Sequence, residues 1–304
     1  MKKPVSNLSA SVHQRLINLA MLEKRTFDDV LIHYANQRFL YRLSCSAFVS
    51  QFILKGAMAI INIDPTFPRA TRDMDFLGVI DNSLPVLEQA IRHICQVDIA
   101  ADGLVFDPGS VRGEIIKESD DYPGARIYFS CHLGDAEVHL QMDIGIADAV
   151  YPAAKKETYH SLLDLPSPSI LIYEPETILA EKVETMVKKD AINSRVKDIF
   201  DIWWLASIGE FKGLTLARAF RTTFENRHTK FPEHFLIFEP TYPGPIQVRA
   251  WQSLVKQMNY GMSVPELTKV IEQLRPFLFP LMDALYQNIE FDLNWDPSHG
   301  WEWR

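Results

Sequence analysis

The stretch Phe52-Ile53-Leu54-Lys55-Gly56-Ala57, followed after a short link by Thr71-Arg72-Asp73-Met74-Asp75, decides the fold of this chain. An apolar run that breaks at Gly56 predicts a strand and a turn, and the second segment predicts another strand. Because side chains alternate along a strand, Asp73 and Asp75 point to one face while Met74 points into the core. Two carboxylates on one face are costly unless a cation lies between them. The pattern therefore predicts a site for Mg²⁺ carried by a nucleotide phosphate.

A second acidic strand is predicted at residues 137–146. Its apolar side chains alternate with polar ones, so that His139, Gln141 and Asp143 share the face opposite the core. If this strand pairs beside the first one, Asp143 completes a cluster of three carboxylates, which repel one another unless a divalent metal neutralises them. Such a cluster supports phosphoryl or nucleotidyl transfer. Two carboxylates would hold Mg²⁺ on the triphosphate, and the third would orient or deprotonate the attacking hydroxyl.

Composition indicates a soluble globular protein. The 304 residues are 47% hydrophobic and 23% charged, and the formal net charge is −8. No apolar run approaches the roughly 20 residues that cross a bilayer, and no apolar segment follows the basic start to form a signal peptide. The three cysteines provide neither a disulfide framework nor a zinc site, so a cytoplasmic protein without a membrane partner is expected. The negative charge argues against a general nucleic-acid coat protein.

The predicted fold class is α+β. We expect an α/β domain at residues 1–165, in which helices precede and flank a mixed sheet, followed by a helical domain at residues 166–304 that closes a cleft. The boundary falls in a Pro-rich segment at 165–175. The C-terminal helices are predicted at 176–189, 195–207, 214–225, 247–260 and 264–286, the last interrupted by Pro276 and Pro280.

A third block lies in the helical half, in Ala180-Glu181-Lys182 and in the segment 193–201. Lys182 sits in an apolar frame that partly desolvates it, and a lysine directed across an interdomain cleft suits triphosphate oxygens. Arg195 and Asp198 are spaced for an intrahelical ion pair on a solvated face, and that interpretation stays open beside a functional one.

Together these blocks resemble the nucleotidyl transferase AbiEii/AbiGii toxin family, part of the polymerase-β-like nucleotidyltransferase group. The resemblance runs, in the family's order, through residues 52–57, 69–75, 141–145, 180–182 and 195–201. It implies a nucleotidyltransferase-like domain, a helical C-terminal domain and Mg²⁺-dependent use of a nucleoside triphosphate. Members are toxins of type IV toxin–antitoxin pairs, some of which add nucleotides to tRNA, and each is opposed by an antitoxin.

The resemblance also implies roles for individual residues. Catalytic roles fall on Asp73, Asp75, Asp143, Lys182 and Asp198, with Asp73, Asp75 and Asp143 as metal ligands. Nucleotide binding falls on Lys55, Gly56, Ala57, Arg72, Lys182 and Arg195. Ala57 departs from the wider fold, which often has Gly or Ser there. Alanine therefore offers no hydroxyl to a phosphate. Arg72 could contact phosphate or balance the nearby acids.

Three functions remain open. The first is NMP transfer from an NTP to an RNA hydroxyl, with tRNA as the expected acceptor and a cognate antitoxin as partner. The same chemistry could act on a protein or a small molecule. A degenerate module that only binds nucleotide or a partner is disfavoured because its carboxylates and lysine are intact. RNA binding would fit the acidic chain if one cleft were lined by Lys55, Arg72, Lys188, Lys189, Arg195 and Lys197.

Overall fold

A computed structural model describes residues 7–117, 123–188, 195–258 and 263–303. These residues form a mixed α+β fold, which confirms the predicted class. The chain divides into two compact units. The first comprises the described residues through Ala147 together with Lys155–Ile172, and the second comprises Asp148–Ala154 and the described residues from Tyr173 onward. The sequence predicts one boundary at 165/166, whereas the chain passes between the units after Ala147, Ala154 and Ile172.

The first unit contains four described helices: α1 (Leu8–Glu23), α2 (Phe27–Ser44), α3 (Gly56–Ile63) and α4 (Leu84–Cys95). Helix α2 begins after Thr26, whose side-chain oxygen accepts a hydrogen bond from the Asp29 amide at 3.1 Å. Asp28 and Asp29 lie in the first turn, where a carboxylate interacts favourably with the helix dipole. Thr26 is therefore the N-cap of α2.

A seven-stranded mixed sheet forms the centre of the first unit. Its strands are β1 (Phe52–Lys55), β2 (Asp73–Gly78), β3 (Leu104–Lys117), β4 (Pro123–Leu133), β5 (Ala136–Ile146), β6 (Lys155–Thr158) and β7 (Ser169–Ile172). The strand order is β3-β4-β5-β2-β1-β7-β6, with parallel pairing at β5/β2 and β1/β7 and antiparallel pairing elsewhere. The two acidic strands, β2 and β5, are thus direct neighbours at the middle of the sheet.

Helix α2 packs on this sheet through both apolar and charged side chains. Phe39 meets Phe129 with ring centroids 4.7 Å apart. Asp102 accepts hydrogen bonds from the buried Arg38 at 2.9 Å and from the buried Arg42 at 2.7 Å. Burial alone would favour the protonated acid, but Arg42 and Arg38 hold the pKa of Asp102 below its ordinary value. The ion pairs fix the helix, because breaking one would leave an uncompensated buried charge.

The second unit is mainly helical, as predicted. Its described helices are α5 (Pro175–Lys188), α6 (Val196–Ile208), α7 (Gly213–Asn226), α8 (Pro245–Gln257) and α9 (Leu267–Tyr286), with a short 3-10 helix at Leu236–Phe238. Three short strands, β8 (Phe211–Lys212), β9 (Asn294–Asp296) and β10 (Gly300–Glu302), add a small antiparallel sheet that the sequence does not predict. Lys189 and Tyr260, the ends of two predicted helices, lie outside the described residues. Within the described part of the chain, no helix is both long and apolar enough to span a bilayer.

The predicted interruption of the last helix is wrong, because α9 continues through Pro276 and Pro280. The two prolines are four residues apart and therefore share one face. Pro276 is exposed, while Phe277 and Leu281 are buried on the packed side. Water can satisfy the carbonyl that Pro276 leaves without a partner, and the buried face keeps the helix together.

Candidate active site

Asp75 stands at the centre of three paired strands. It has two register partners, which are Lys55 on the antiparallel neighbour β1 and Asp143 on the parallel neighbour β5. Partners on neighbouring strands lie about 4.8 Å apart and project to the same face. Met74 and Phe76 are fully buried on the other face, while Asp73 is exposed. The predicted alternation on β2 and its pairing with the second acidic strand are both confirmed.

Gly56 forms the turn from β1 into α3 and lies directly against Asp75. Its φ of +67° is in the left-handed region. A Cβ atom at this position would lie 2.1 Å from Asp75 Oδ2, so no side chain fits. The unsatisfied amides at a helix N-terminus favour anions. Those of α3 lie next to the sheet face that carries Asp75. Ala57 follows as a buried residue of the first turn. Phosphate binding at this turn stays a prediction.

Asp143 is held by Arg126, its register partner on β4. Arg126 Nε donates to Oδ1 and Nη2 donates to Oδ2, both at 2.7 Å, and Gln141 Nε2 adds a contact at 3.2 Å. These hydrogen bonds raise the pKa of Arg126 above its ordinary value. Arg126 belongs to none of the motifs that predict the site. The tight Gly134-Asp135 connection between β4 and β5 is the signal that could have placed residue 126 opposite residue 143.

The donor set at this face fits Mg²⁺ in part. Carboxylate oxygens are the ligands that Mg²⁺ prefers, and one or two of them suffice when substrate phosphates complete the shell. Asp73 and Asp75 supply carboxylates of this kind, and their role as metal ligands stays a prediction. Both oxygens of Asp143 are engaged by Arg126, and among the described residues no group of three His, Cys, Asp or Glu side chains is arranged to hold a metal. The metal role of Asp143 therefore stays a prediction.

Two basic residues that are predicted to bind nucleotide lie beside β2. Lys55 is largely buried beside Asp75. Arg72 is exposed, and its Nη2 lies 3.3 Å from Asp29 Oδ1, so it balances an acid of α2. The Arg72 carbonyl accepts a hydrogen bond at 3.1 Å from the fully buried Asn36, which fixes the backbone just before Asp73. Asn36 is a second positioning residue that the sequence does not reveal.

In the second unit, Lys182 forms ion pairs with two aspartates of α6. Its Nζ lies 2.9 Å from Asp198 Oδ1 and 2.7 Å from Asp201 Oδ2. Only 14% of the Lys182 side chain is exposed, as its apolar frame predicts. Arg195 Nη1 contacts Asp198 Oδ2 at 3.0 Å, so the intrahelical pair is present but lies in a half-buried cluster. Burial would raise the pKa of Asp198, but Lys182 and Arg195 hold it below its ordinary value.

Arg227 forms a further ion cluster that the sequence analysis misses. It lies 2.8 Å from Asp148 and Glu184 and 3.4 Å from Glu181. These contacts tie α5 and the end of α7 to the segment Asp148–Ala154. Of the basic residues predicted to line a cleft, Lys188 and Lys197 are exposed and Lys189 lies outside the described residues. The cleft and the triphosphate contact of Lys182 stay predictions.

Comparison with known proteins identifies the family. The model of the nucleotidyl transferase AbiEii toxin family, Type IV TA system, matches residues 38–276. The match spans well over half of the chain, and the chain belongs to this family of nucleotidyltransferase toxins. A toxin of this kind implies a cognate antitoxin. No curated protein matches the chain significantly.

Two solved structures from Helicobacter pylori are similar to the chain. One is a candidate nucleotidyltransferase, with 16% identity and a TM-score of 0.45, covering 94% of this chain and 98% of its own. The other is JHP933, with 13% identity and a TM-score of 0.39, covering 91% and 98%.

Proposed function

We propose that this protein transfers NMP from a nucleoside triphosphate to an RNA hydroxyl in a Mg²⁺-dependent reaction, and that tRNA is the acceptor. The observation that carries the proposal is the register of β2 and β5, which puts Asp75 beside Asp143 and against the glycine that opens α3. Family membership supports the reaction type. The tRNA acceptor rests on the resemblance of the motifs alone.

In the proposed reaction, the acceptor hydroxyl oxygen attacks the α-phosphorus of the triphosphate. The bond from that phosphorus to the bridging oxygen breaks, and pyrophosphate leaves with the bond's electron pair. Mg²⁺, when bound, would neutralise phosphate charge and orient the triphosphate. Asp73 and Asp75 would hold the ion, and the amides after Gly56 would receive phosphate oxygens. Asp143 would supply the third carboxylate, with one oxygen for the ion and the other to accept the hydroxyl proton.

In the cell, this transfer would be the toxic activity of a type IV pair. Adding a nucleotide to an RNA end would block the reactions that this end normally undergoes, which would account for the toxicity. The cognate antitoxin would oppose the toxin, and a stable complex between the two is not required by the proposal.

Labelled triphosphates test the proposal and its alternatives together. Each of the four α-labelled NTPs is incubated with Mg²⁺, total RNA and either the wild type or Asp75→Ala. Label that enters tRNA-sized RNA with the wild type alone supports the proposal. Label that persists in Asp75→Ala contradicts the site. Label in protein favours the other acceptors, and nucleotide binding without incorporation favours the binding module.

A further inference from the structure

The Arg126–Asp143 pair has a role that rests on the proposed function. We infer that Arg126 couples metal binding to triphosphate binding, because it occupies Asp143 until a triphosphate draws the guanidinium away. In the present structure both carboxylate oxygens accept a guanidinium hydrogen bond at 2.7 Å. Gln141 Nε2 donates a further hydrogen bond to Asp143 Oδ1 at 3.2 Å. A carboxylate engaged in this way cannot ligate a metal unless the pair opens.

The two partners differ in their freedom to move. The Arg126 side chain is 31% exposed, whereas that of Asp143 is 12% exposed. The guanidinium can therefore leave for another anion at the surface of the sheet while Asp143 stays in place. Its planar fork matches phosphate oxygens as well as it matches a carboxylate. A triphosphate on the Asp73 and Asp75 face is the nearest multivalent anion that the proposed reaction supplies.

The exchange avoids an uncompensated charge on either partner. A buried carboxylate that loses its cation is strongly destabilised, so Arg126 departs only when Mg²⁺ replaces it. In the same step, phosphate replaces Asp143 as the partner of Arg126. Each ligand then favours the binding of the other, and this coupling is reciprocal. The metal-free protein keeps its third carboxylate inactive.

The test measures Mg²⁺ binding by titration calorimetry on the full chain, with and without a non-hydrolysable triphosphate. The matched variants are Arg126→Gln and Arg112→Gln, which each remove one positive charge. Arg112 is exposed on β3, lies over the Tyr128 ring at 5.2 Å, and shares the sheet face with Arg126. General electrostatics therefore changes in the same direction in both, and only Arg126→Gln frees Asp143.

Arg126→Gln is expected to bind Mg²⁺ about fivefold or more tightly without triphosphate, within the usual range of coupling between sites. The gain in Mg²⁺ affinity that triphosphate produces shrinks by the same factor, while Arg112→Gln shows only the smaller change caused by the loss of one positive charge and keeps the gain produced by triphosphate. Arg126→Lys is expected to bind Mg²⁺ with an affinity between those of Arg126→Gln and the wild type, because its ammonium contacts one Asp143 oxygen at a time. It replaces Arg126→Gln in the test if Arg126→Gln does not fold.

Equal Mg²⁺ affinities in Arg126→Gln and the wild type overturn the coupling, as does an equally large increase in Mg²⁺ affinity without triphosphate in Arg112→Gln. The proposed function is read separately from Asp75→Asn in the same titrations. If Asp75→Asn binds Mg²⁺ as the wild type does, the proposed metal site is wrong. A wild type that binds no Mg²⁺ even with triphosphate contradicts both proposals.

Discussion

Gly56 meets two requirements at once, a left-handed backbone and space for the Asp75 side chain. Gly56→Ala is expected to lower the transfer rate on the order of 100-fold, because a displacement of about 1 Å at a reacting centre costs that much. Gly134→Ala is the matched control. Its φ is +62°, but the nearest atom to an added Cβ is Ser9 Cβ at 3.7 Å. Both variants should lose roughly 1–2 kcal/mol of stability through strain. Equal rates in the two variants would refute the role of Gly56 in placing Asp75.

His33 makes the stability of the first unit depend on pH. It is buried on α2, with Tyr159 Oη 3.3 Å from its Nε2. Burial, and to a lesser extent Arg25, lowers the pKa of His33 from 6.5 to about 3. His33 binds a proton below pH 6.5 in the unfolded chain but only below about pH 3 in the folded chain. The contribution of His33 to stability is therefore complete above pH 6.5 and is lost as the pH falls from 6.5 to about 3.

Urea unfolding at pH 7 and pH 5 checks this expectation. The free energy of unfolding of the wild type should fall by up to about 1.4 kcal/mol per pH unit from this group alone. His33→Gln should flatten the dependence, whereas His139→Gln, at an exposed position on β5, should leave it unchanged. The same slope in His33→Gln as in the wild type would contradict the assignment.

Some site residues could be predicted from the sequence and others could not, for a physical reason. Asp73, Asp75 and Asp143 follow from strand alternation, which needs only neighbours along the chain. Arg126, Asn36 and Arg227 act through partners that lie far away in sequence. The contacts of Asn36 and Arg227 depend on helix packing, which no local pattern records, whereas the partner of Arg126 follows from the register of the β4–β5 hairpin.

At the scale of elements, Lys182 joins α5 to α6 through Asp198 and Asp201. Lys182→Met should destabilise the protein by about 3–5 kcal/mol, because Asp201 would keep a buried charge without this lysine. Lys197→Met, at an exposed position on α6, should change stability little. Thermal and urea unfolding measure both variants, and equal stabilities would refute the structural role.

Lys182→Arg separates the structural role from the predicted contact with triphosphate. It keeps the charge and should restore most of the stability lost in Lys182→Met. If the resemblance assigns Lys182 correctly, the transfer rate in Lys182→Arg stays low although the fold is intact, because arginine does not reproduce the point charge of lysine. Wild-type transfer by a stable Lys182→Arg would leave the residue with a purely structural role.

The elements that could be predicted are those with a strong local signal. Helix α2 has its N-cap, and β2 and β5 have their alternation. Strand β3 has no such signal, because Pro108-Gly109 and the register shift between Asp107 and Arg112 break its alternation. In α9, each proline alone predicts a break, but their common face and the packed opposite side preserve the helix.

At the scale of the whole molecule, the three carboxylates predicted to bind the metal lie in the first unit and come from two strands, β2 and β5, that are far apart in sequence. The order β5-β2-β1 brings residues near 55, 75 and 143 together at the middle of one sheet. The mixture of strand-like and helical segments predicts the fold class, and the motifs, through their resemblance, predict the family that the comparison confirms. The strand order depends on contacts between residues far apart in sequence. The sequence therefore predicts only that Asp143 joins the cluster if the two acidic strands pair.

The initial rate of NMP incorporation into RNA, at fixed protein, NTP and Mg²⁺ concentrations, tests the central claim most directly. The comparison is among the wild type, Asp75→Asn and Asp135→Asn, which removes an exposed carboxylate in the turn between β4 and β5. Removing a carboxylate that holds the metal should lower the rate by about 100-fold or more in Asp75→Asn, as a lost transition-state interaction does. Asp135→Asn should retain the wild-type rate. An Asp75→Asn protein that transfers NMP as fast as Asp135→Asn would contradict the account.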